Sequence, residues 1–433
     1  MPEQKPILQL ALDFPDLHRA IQIAKESVKG GVDWIEVGTP LIKSEGLNAV
    51  REIKRKFSRH VILADMKTMD TGSFEVEIAA KSGADIIIIL ALADTSTIKE
   101  AVEAGKKYNT KIMVDLIGVE DPITKSAELE KIGIDYICIH VGIDQQMKGM
   151  DPLKTLTEVA ATVKIPLALA GGINSESAAK AVTSGAKIVI IGGAITKAEN
   201  ARAAAKIIKK AMSTKKPIPT RHYKKFGQDD LQKVLLEVSP ANISDAMHRK
   251  GEMIGINPIT PKTKISGTAL TVQTFPGDWA KAVEAIDLAN PGQVIVIDAG
   301  GSTKAVWGEL ASWSCKTKDV AGVVIDGGVR DVEAIREMNF SVFAKHINPT
   351  AGEPKGLGEI NAEIICGGAK VRPGDWIVAD DTGIIVLPRE NAVEITNRAK
   401  DICEKEEKIK AEIKKKSTLS QVLQIKKWEK IYR

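Results

Sequence analysis

Cysteine is scarce in this 433-residue chain and poorly spaced for metal work. Cys138, Cys315, Cys366 and Cys403 stand far apart and form no Cys-x-x-Cys pair. That pattern argues against a zinc site and for a reducing compartment. No apolar run approaches the length of a membrane span. The opening residues, Met1-Pro2-Glu3-Gln4-Lys5, run straight into a strand-like segment and lack the apolar core of a signal peptide. A cytoplasmic location with no membrane partner is expected. Charge is nearly balanced except in one place. The formal net charge is +5, and residues 209–225 hold Lys209, Lys210, Lys215, Lys216, Arg221, Lys224 and Lys225 with no acid, which is more than the whole excess. With Pro217 and Pro219 the stretch reads as an extended, solvated interdomain linker. It has neither an aromatic platform nor a recognition helix, so nucleic acid is not an expected partner. The whole chain is 44% hydrophobic and 27% charged. That is the composition of a soluble globular protein, at a length for which two domains are the prior.

Upstream of the linker, β-branched runs alternate with amphipathic segments. The runs are Ile7–Asp13, Trp34–Gly38, Val61–Lys67, Asp85–Leu90, Lys111–Ile117, Tyr136–Gly142, Pro166–Gly171 and Lys187–Gly192. Each is mostly apolar without strict alternation, as in strands buried on both faces. Helical patterns such as Asp16–Lys29, Ser73–Ser82 and Ser175–Ser184 lie between them. Gly31, Gly83, Gly133 and Gly185 follow such patterns and suit the left-handed residue that ends a helix. Eight βα units over residues 1–212 predict an α/β fold, a (β/α)8 TIM barrel. A doubly wound open sheet is the alternative, but the first turn lacks Gly-x-Gly-x-x-Gly. The remaining boundaries are a linker at 213–225, a second domain at 226–398, and a charged helical tail at 399–433.

In such barrels the chemistry sits at the C-terminal ends of strands. Asp13, Glu36, Asp65, Lys67 and His140 end or interrupt apolar runs there, where a buried charge needs a partner or a job. Asp65 and Lys67 are two apart, which places them on one face of a regular strand. Glu36 and Asp65 offer hard oxygen ligands for Mg²⁺ (or Mn²⁺). Such an ion would polarise a ketose carbonyl and stabilise the enediolate beside it. His140 suits a general base. After the seventh and eighth runs come Gly171-Gly172 and Gly192-Gly193. Paired glycines let backbone N–H groups approach an anion, and a following helix N-terminus would add its dipole. That is the phosphate position of these barrels.

These residues make the half resemble the orotidine monophosphate decarboxylase suprafamily, whose mark is Asp-x-Lys-x-x-Asp, here Asp65, Lys67 and Asp70. Within it the half resembles 3-hexulose-6-phosphate synthase through Ala11-Leu12-Asp13, Glu36 through Pro40, Asp65 through Gly72, His140 through Asp144 and both Gly-Gly loops. The resemblance implies a Mg-dependent aldolase joining formaldehyde to ribulose 5-phosphate, or the reverse cleavage. It implies catalytic roles for Asp13, Lys67 and His140, and an Asp70 that completes the neighbouring subunit's site in a dimer. The related 3-keto-L-gulonate 6-phosphate decarboxylase carries an arginine three residues after the histidine; this chain has Ile143.

From about Phe226 the strand-like runs Lys264–Gln273, Val294–Asp298, Val320–Asp326, Ser341–Ala344, Trp376–Ala379 and Gly383–Leu387 vary in spacing. They predict a compact mixed α/β domain, followed by a mixed-charge helix over about Asn391–Lys416. Gly300-Gly301, read as a turn before a helix, can present N–H groups to a carboxylate. Arg330 can hold a carboxylate bidentately, and Asp331 can reach a metal. Gly327-Gly328 would turn the chain so that both side chains face one pocket. The plain alternative is a helix-capping Asp331 beside a surface Arg330.

This half resembles the family of the regulator of ribonuclease E activity, which includes 4-hydroxy-4-methyl-2-oxoglutarate aldolases. Glu309 stands where those aldolases usually have Asp, twenty intervening residues before the Arg-Asp pair. The resemblance implies a 2-oxo-acid aldolase or oxaloacetate decarboxylase, or else a module that binds a ribonuclease. A glutamate from an adjacent subunit would complete the metal site. The whole chain therefore resembles a fusion of the two families. Dimeric barrels joined to trimeric second domains would close as a hexamer.

Overall fold

In a computed structural model, residues 5–150, 152–220 and 223–423 are described. The chain divides into two compact units: residues 1–225 with 405–433, and residues 226–404.

The first unit is a closed barrel of eight parallel strands in sequential order. They are β1 (Ile7–Leu12), β2 (Trp34–Val37), β3 (Val61–Thr68), β4 (Ile86–Leu90), β5 (Lys111–Asp115), β6 (Tyr136–His140), β7 (Leu167–Ala170) and β8 (Ile188–Ile191). Strand parity divides the core in two. Leu8, Leu10, Leu12, Ile35, Val37, Ile62, Ala64, Ile137 and Ile139 belong to a core that also takes in the helices outside the barrel. Ala11, Leu63, Ile86, Ile88, Met113, Cys138, Ala168, Ala170, Ile188 and Ile190 fill the interior. Both faces of each strand are thus apolar, which is why the runs lack alternation.

The two rims of the barrel are built differently. Gly31, Gly83, Gly133 and Gly185 all have φ between 90° and 111°, a region that favours glycine. Two residues after each of the first three comes an aspartate that ties down the preceding strand. Asp33 Oδ2 accepts the Leu8 N–H at 2.7 Å, Asp85 Oδ2 accepts the Ile62 N–H at 2.8 Å and Asp135 Oδ2 accepts the Ile112 N–H at 2.9 Å. Lys209, Lys54 and Lys111 neutralise these three carboxylates. The N-terminal rim is therefore a ring of structural acids, leaving the acids at the opposite rim for another use.

The stretch read as a solvated linker is not free of the barrel. Lys209 and Lys210 belong to the helix Ala201–Thr214. Beyond it, Ser175 Oγ donates to Ile218 O, Glu176 accepts the Thr220 N–H and pairs with Lys224, and the Asn174 amide donates to Tyr223 O. The polar loop after β7 supplies this stretch with partners. Arg221 lies outside the described residues.

The second unit is a mixed sheet in the order Gly383–Leu387, Trp376–Asp380, Ile265–Thr274, Val294–Asp298, Gly322–Val329, Val342–Ile347, Asn257–Pro258. The four middle strands from Ile265 to Ile347 are mutually parallel, and the outer ones run antiparallel to their neighbours. Short strands at Ala305–Trp307 and Gly358–Ile360 pair with the C-terminal ends of Gly322–Val329 and Ile265–Thr274. The long helix spans Ala392–Lys414, and its residues from 405 onward belong with the barrel. No helix among the described residues is long and apolar enough to cross a membrane.

Candidate active site

Strand parity carries the site. The side chains that alternate with the outward-facing leucines and isoleucines are Gln9 from β1 and Asp13 just past its end, Glu36 from β2, Asp65 from β3, Asp115 from β5 and His140 from β6. All converge at the C-terminal rim. Lys67 Nζ lies 3.1 Å from Asp65 Oδ2 and 2.9 Å from Asp115 Oδ2. His140 Nδ1 lies 2.8 Å from the same Asp115 oxygen. Thr39 Oγ1 donates to Asp65 Oδ2 at 2.7 Å, and Gln9 Nε2 donates to Glu36 Oε2 at 2.6 Å.

Two of these residues were missed from sequence, and one was placed for the wrong reason. Asp115 interrupts an apolar run as Asp65 does, so the same rule applied to β5 would have found it. Gln9 was hidden inside the otherwise apolar run Ile7–Leu12. Asp65 and Lys67 do meet, but not by strand alternation. The pairing of β3 with β4 shifts register between Asp65 and Thr68, and Lys67 has φ 47°. A bulge of this kind re-aims a side chain near an active site.

The electrostatics show a surplus of negative charge. Burial drives the Glu36 carboxyl well above the usual carboxylate range, and the nearby Asp65 and Asp13 add to it. Asp13 is exposed at the rim by surface area, yet crowded by surrounding protein. That crowding raises its carboxyl, with Asp65 adding. Burial alone would raise Asp115, but the hydrogen bonds and charges of His140 and Lys67 outweigh it and hold Asp115 below the usual range. The Lys67 ammonium is stabilised against its own burial by Asp65 and Asp115. Four carboxylates thus face one ammonium, and two of them respond by holding their protons more tightly.

Glycines shape the rim. A Cβ on Gly38 would lie 2.2 Å from Asp13 Oδ1 and 2.9 Å from the Leu12 carbonyl oxygen. Gly38→Ala is therefore expected to push Asp13 aside and lower kcat/KM about tenfold with the fold retained; an unchanged value would show that the Asp13 position is immaterial. Gly171 and Gly172 have φ of 105° and 66°, and a Cβ on Gly171 would meet Val141 O at 2.3 Å. Gly192 comes close to Asp13, its hypothetical Cβ lying 3.7 Å from Oδ2. The helix dipoles expected behind these loops are weak. The helix after β7 begins only at Ser177, and the Asn174 side chain takes its first N–H groups; the one after Gly192 is the single turn Gly193–Thr196. Any anion held here is held by loop backbone. Asp70 is exposed, accepts the Thr71 N–H, and stands outside the Lys67 network.

In the second unit the Gly-rich readings change. Gly300 and Gly301, at φ 63° and 67°, turn the chain towards the strand Ala305–Trp307, not a helix. Gly327 and Gly328 lie within the strand Gly322–Val329 and make no turn. They are small because Ala299 and the Thr303–Lys304 backbone press on them, at 2.8 and 2.5 Å from hypothetical Cβ atoms. Arg330 Nε sits 3.4 Å from Asp331 Oδ2, which accepts the Glu309 N–H at 3.2 Å. Asp331 thus caps the helix Glu309–Thr317, not the helix that follows it. Arg330 and Asp331 are both about half exposed.

Comparison with known proteins agrees with this division. Residues 6–208 match the orotidine 5'-phosphate decarboxylase/HUMPS family, and residues 240–386 match the RraA-like family, described as Aldolase/RraA. The 3-hexulose-6-phosphate synthase of Bacillus subtilis is 44% identical over 192 residues, 44% of this chain and 91% of the relative. That of Mycobacterium gastri is 38% identical over 206 residues, 48% of this chain and 99% of the relative. The crystal structure of 3-hexulose-6-phosphate synthase from Salmonella typhimurium superimposes with a TM-score of 0.47 at 36% identity, covering 48% of this chain and 99% of that one. Through its barrel the chain belongs to the 3-hexulose-6-phosphate synthase family of lyases, and it carries a C-terminal RraA-like domain fused to that barrel.

Proposed function

We propose that the barrel interconverts D-arabino-hex-3-ulose 6-phosphate with D-ribulose 5-phosphate and formaldehyde. The observation that supports this most is the chain of contacts His140–Asp115–Lys67–Asp65, which joins a base, its orienting carboxylate and a fixed cation at one rim. The Asp115 carboxylate favours a proton on His140 Nδ1, which leaves the Nε2 lone pair as the base. In the synthetic direction His140 removes a proton from C1 of ribulose 5-phosphate, and the electron pair moves onto the C2 oxygen as an enediolate. C1 then attacks the formaldehyde carbon. The C=O pair becomes an alkoxide, which takes the proton back from His140. Lys67, held by two carboxylates, keeps a positive charge beside the enediolate. Gly171, Gly172, Gly192 and Gly193 bind the phosphate through backbone. Asp70, exposed in one barrel, is assigned to a second barrel in a dimer. Ile143, exposed at the start of the helix Ile143–Met147, brings no guanidinium and so favours the aldolase over the decarboxylase. Formation of the hexulose phosphate from ribulose 5-phosphate and formaldehyde tests the assignment. Its absence, with decarboxylation of 3-keto-L-gulonate 6-phosphate in its place, would reverse it.

The donor chemistry fits a divalent cation. Glu36 and Asp65 are buried hard ligands in a cluster short of positive charge, and the buried Gln9 Oε1 beside Glu36 has no hydrogen-bond partner. No group of three or more acidic, His or Cys side chains among the described residues forms a closed cage. Mg²⁺ commonly needs only one or two carboxylates, with water and substrate oxygens completing its shell. Bound there, Mg²⁺ or Mn²⁺ would supply Lewis acidity to the ketose oxygens. We expect Mg²⁺ to raise the thermal midpoint of the protein by several degrees, an effect removed by chelator and absent in Glu36→Gln. Equal shifts in both proteins would place the ion elsewhere.

The Arg330–Asp331 pair fits a metal less well. One Asp331 oxygen is already engaged by Glu309 and Arg330, and Asp331 belongs to no group of three or more acidic, His or Cys side chains among the described residues that could hold a metal. No 2-oxo-acid step is derived there.

A further inference from the structure

The helical residues 405–414 follow the RraA-like domain in sequence but belong with the barrel. Lys408 Nζ donates to Thr196 O at 2.9 Å. Thr196 ends the single turn Gly193–Thr196, and its own N–H bonds back to Gly192 O at 3.0 Å. One turn of helix is not stable alone; the Lys197 and Ala198 N–H groups take Gly193 O and Ile195 O, and the Thr196 carbonyl takes its partner from outside the turn. Lys408 supplies that partner and so fixes the turn that carries the Gly192-Gly193 loop. Four residues on, along the same helical face, Glu412 pairs with Arg19 at 3.2 Å. Arg19 lies in the helix Leu17–Val28 that follows Asp13, with its guanidinium over the Phe14 ring. Lys408 and Glu412 therefore hold the loops after β8 and β1, the adjacent strands that close the barrel.

The charges converge on the same place. Lys197 runs along Gly193, its Cε 3.7 Å from a hypothetical Cβ there. Burial, with Arg19 and Lys197 nearby, holds the Lys408 ammonium below its ordinary range, opposed by Glu412 and Glu26. A site that gathers cations at this cost suits an anionic ligand. The 3-hexulose-6-phosphate synthase of Mycobacterium gastri is matched over 99% of its own length by 206 residues of this chain, which leaves it almost no room for a counterpart to this segment.

We infer that Lys408 and Glu412, on one face of this helical segment, complete the phosphate end of the barrel's site, with Lys408 as the residue that positions the Gly192-Gly193 loop. The inference rests on the aldolase reading for its phosphosugar, but not for its phosphate. The test uses the full chain. In Lys408→Met, the KM for ribulose 5-phosphate and the calorimetric Kd for inorganic phosphate are expected to rise together, about fivefold, with kcat within about twofold of wild type. Lys408→Arg should restore both. Glu412→Gln should move both the same way by less. Lys410→Met, an exposed lysine two residues away, should move neither. Unchanged phosphate affinity in Lys408→Met would overturn the inference, as would a fall in kcat with KM and Kd unaltered. If the wild-type chain makes no hexulose phosphate, the aldolase reading falls, and phosphate affinity across these variants still decides the role of Lys408.

Discussion

Lys67→Met is expected to lower kcat at least about a thousandfold, roughly 4 kcal/mol of barrier. Methionine keeps an unbranched side chain only one atom shorter and removes the charge and the donors. The ammonium binds Asp65 and Asp115 together, and both carboxylates are buried. Without it two buried anions face each other uncompensated, a situation that costs about 3–5 kcal/mol when one partner of a buried pair is removed. The cluster can relieve this only by taking up protons or moving apart. Either response spoils the site: a protonated Asp115 no longer orients His140 as a base, and a displaced Asp65 no longer faces Glu36. No other lysine or arginine among the described residues is bonded to Asp65 or Asp115, so rescue from a neighbour is not expected. Activity within tenfold of wild type, in a variant whose circular dichroism is native, would remove Lys67 from the mechanism.

How much of this could be read in advance depended on the kind of signal. The eight strands were legible because burial on both faces leaves long β-branched runs, and the boundaries differ from the structure by a residue or two at most ends. The acids at strand ends were legible because charge in such a run is expensive. Asp115 obeys the same logic and was passed over only because a strand drawn to Ile117 puts it mid-run. The bulge at Lys67 was not legible. It depends on the partner strand, and a two-residue spacing looks the same whether or not the pleat is kept. The linker failed for a related reason: proline and lysine report what a segment does alone, whereas its partners Asn174, Ser175 and Glu176 lie some forty residues away.

The glycines of the RraA-like domain teach a different lesson. Gly327 and Gly328 looked like a turn because paired glycine usually marks positive φ. Their backbone is that of a strand, and it is space that excludes a side chain there. Sequence shows that something is small, but not whether torsion or crowding demands it. The same ambiguity affects Asp331. An Arg-Asp pair before a helix fits a ligand site or a cap, and the bond to the Glu309 N–H, twenty-two residues back in the chain, is long-range information.

Asp115→Asn is expected to lower kcat by about a thousandfold while leaving the KM for the phosphosugar within a few-fold. The substitution changes one atom's chemistry at a buried position, so packing is preserved. Asp115 Oδ2 receives both His140 Nδ1 and Lys67 Nζ, each within 2.9 Å. The Ile117 N–H occupies Oδ1 at 2.9 Å. An asparagine can satisfy Lys67 or Ile117 with its oxygen, but its NH₂ group then faces the remaining position. Where that group meets His140, the ring nitrogen must accept, and the proton moves to Nε2. The tautomer that results has no lone pair directed at substrate. An amide also lacks the charge that stabilises the imidazolium formed when His140 takes a proton, so both the resting base and its conjugate acid are disfavoured. Nitrogen chemical shifts of His140 report the tautomer directly. A shift of the proton from Nδ1 to Nε2, together with the loss of kcat, is the expected pair of results. A variant that keeps the wild-type tautomer and loses turnover would move the role of Asp115 from His140 to Lys67. One that keeps turnover would show that Asp115 is not needed to orient the base.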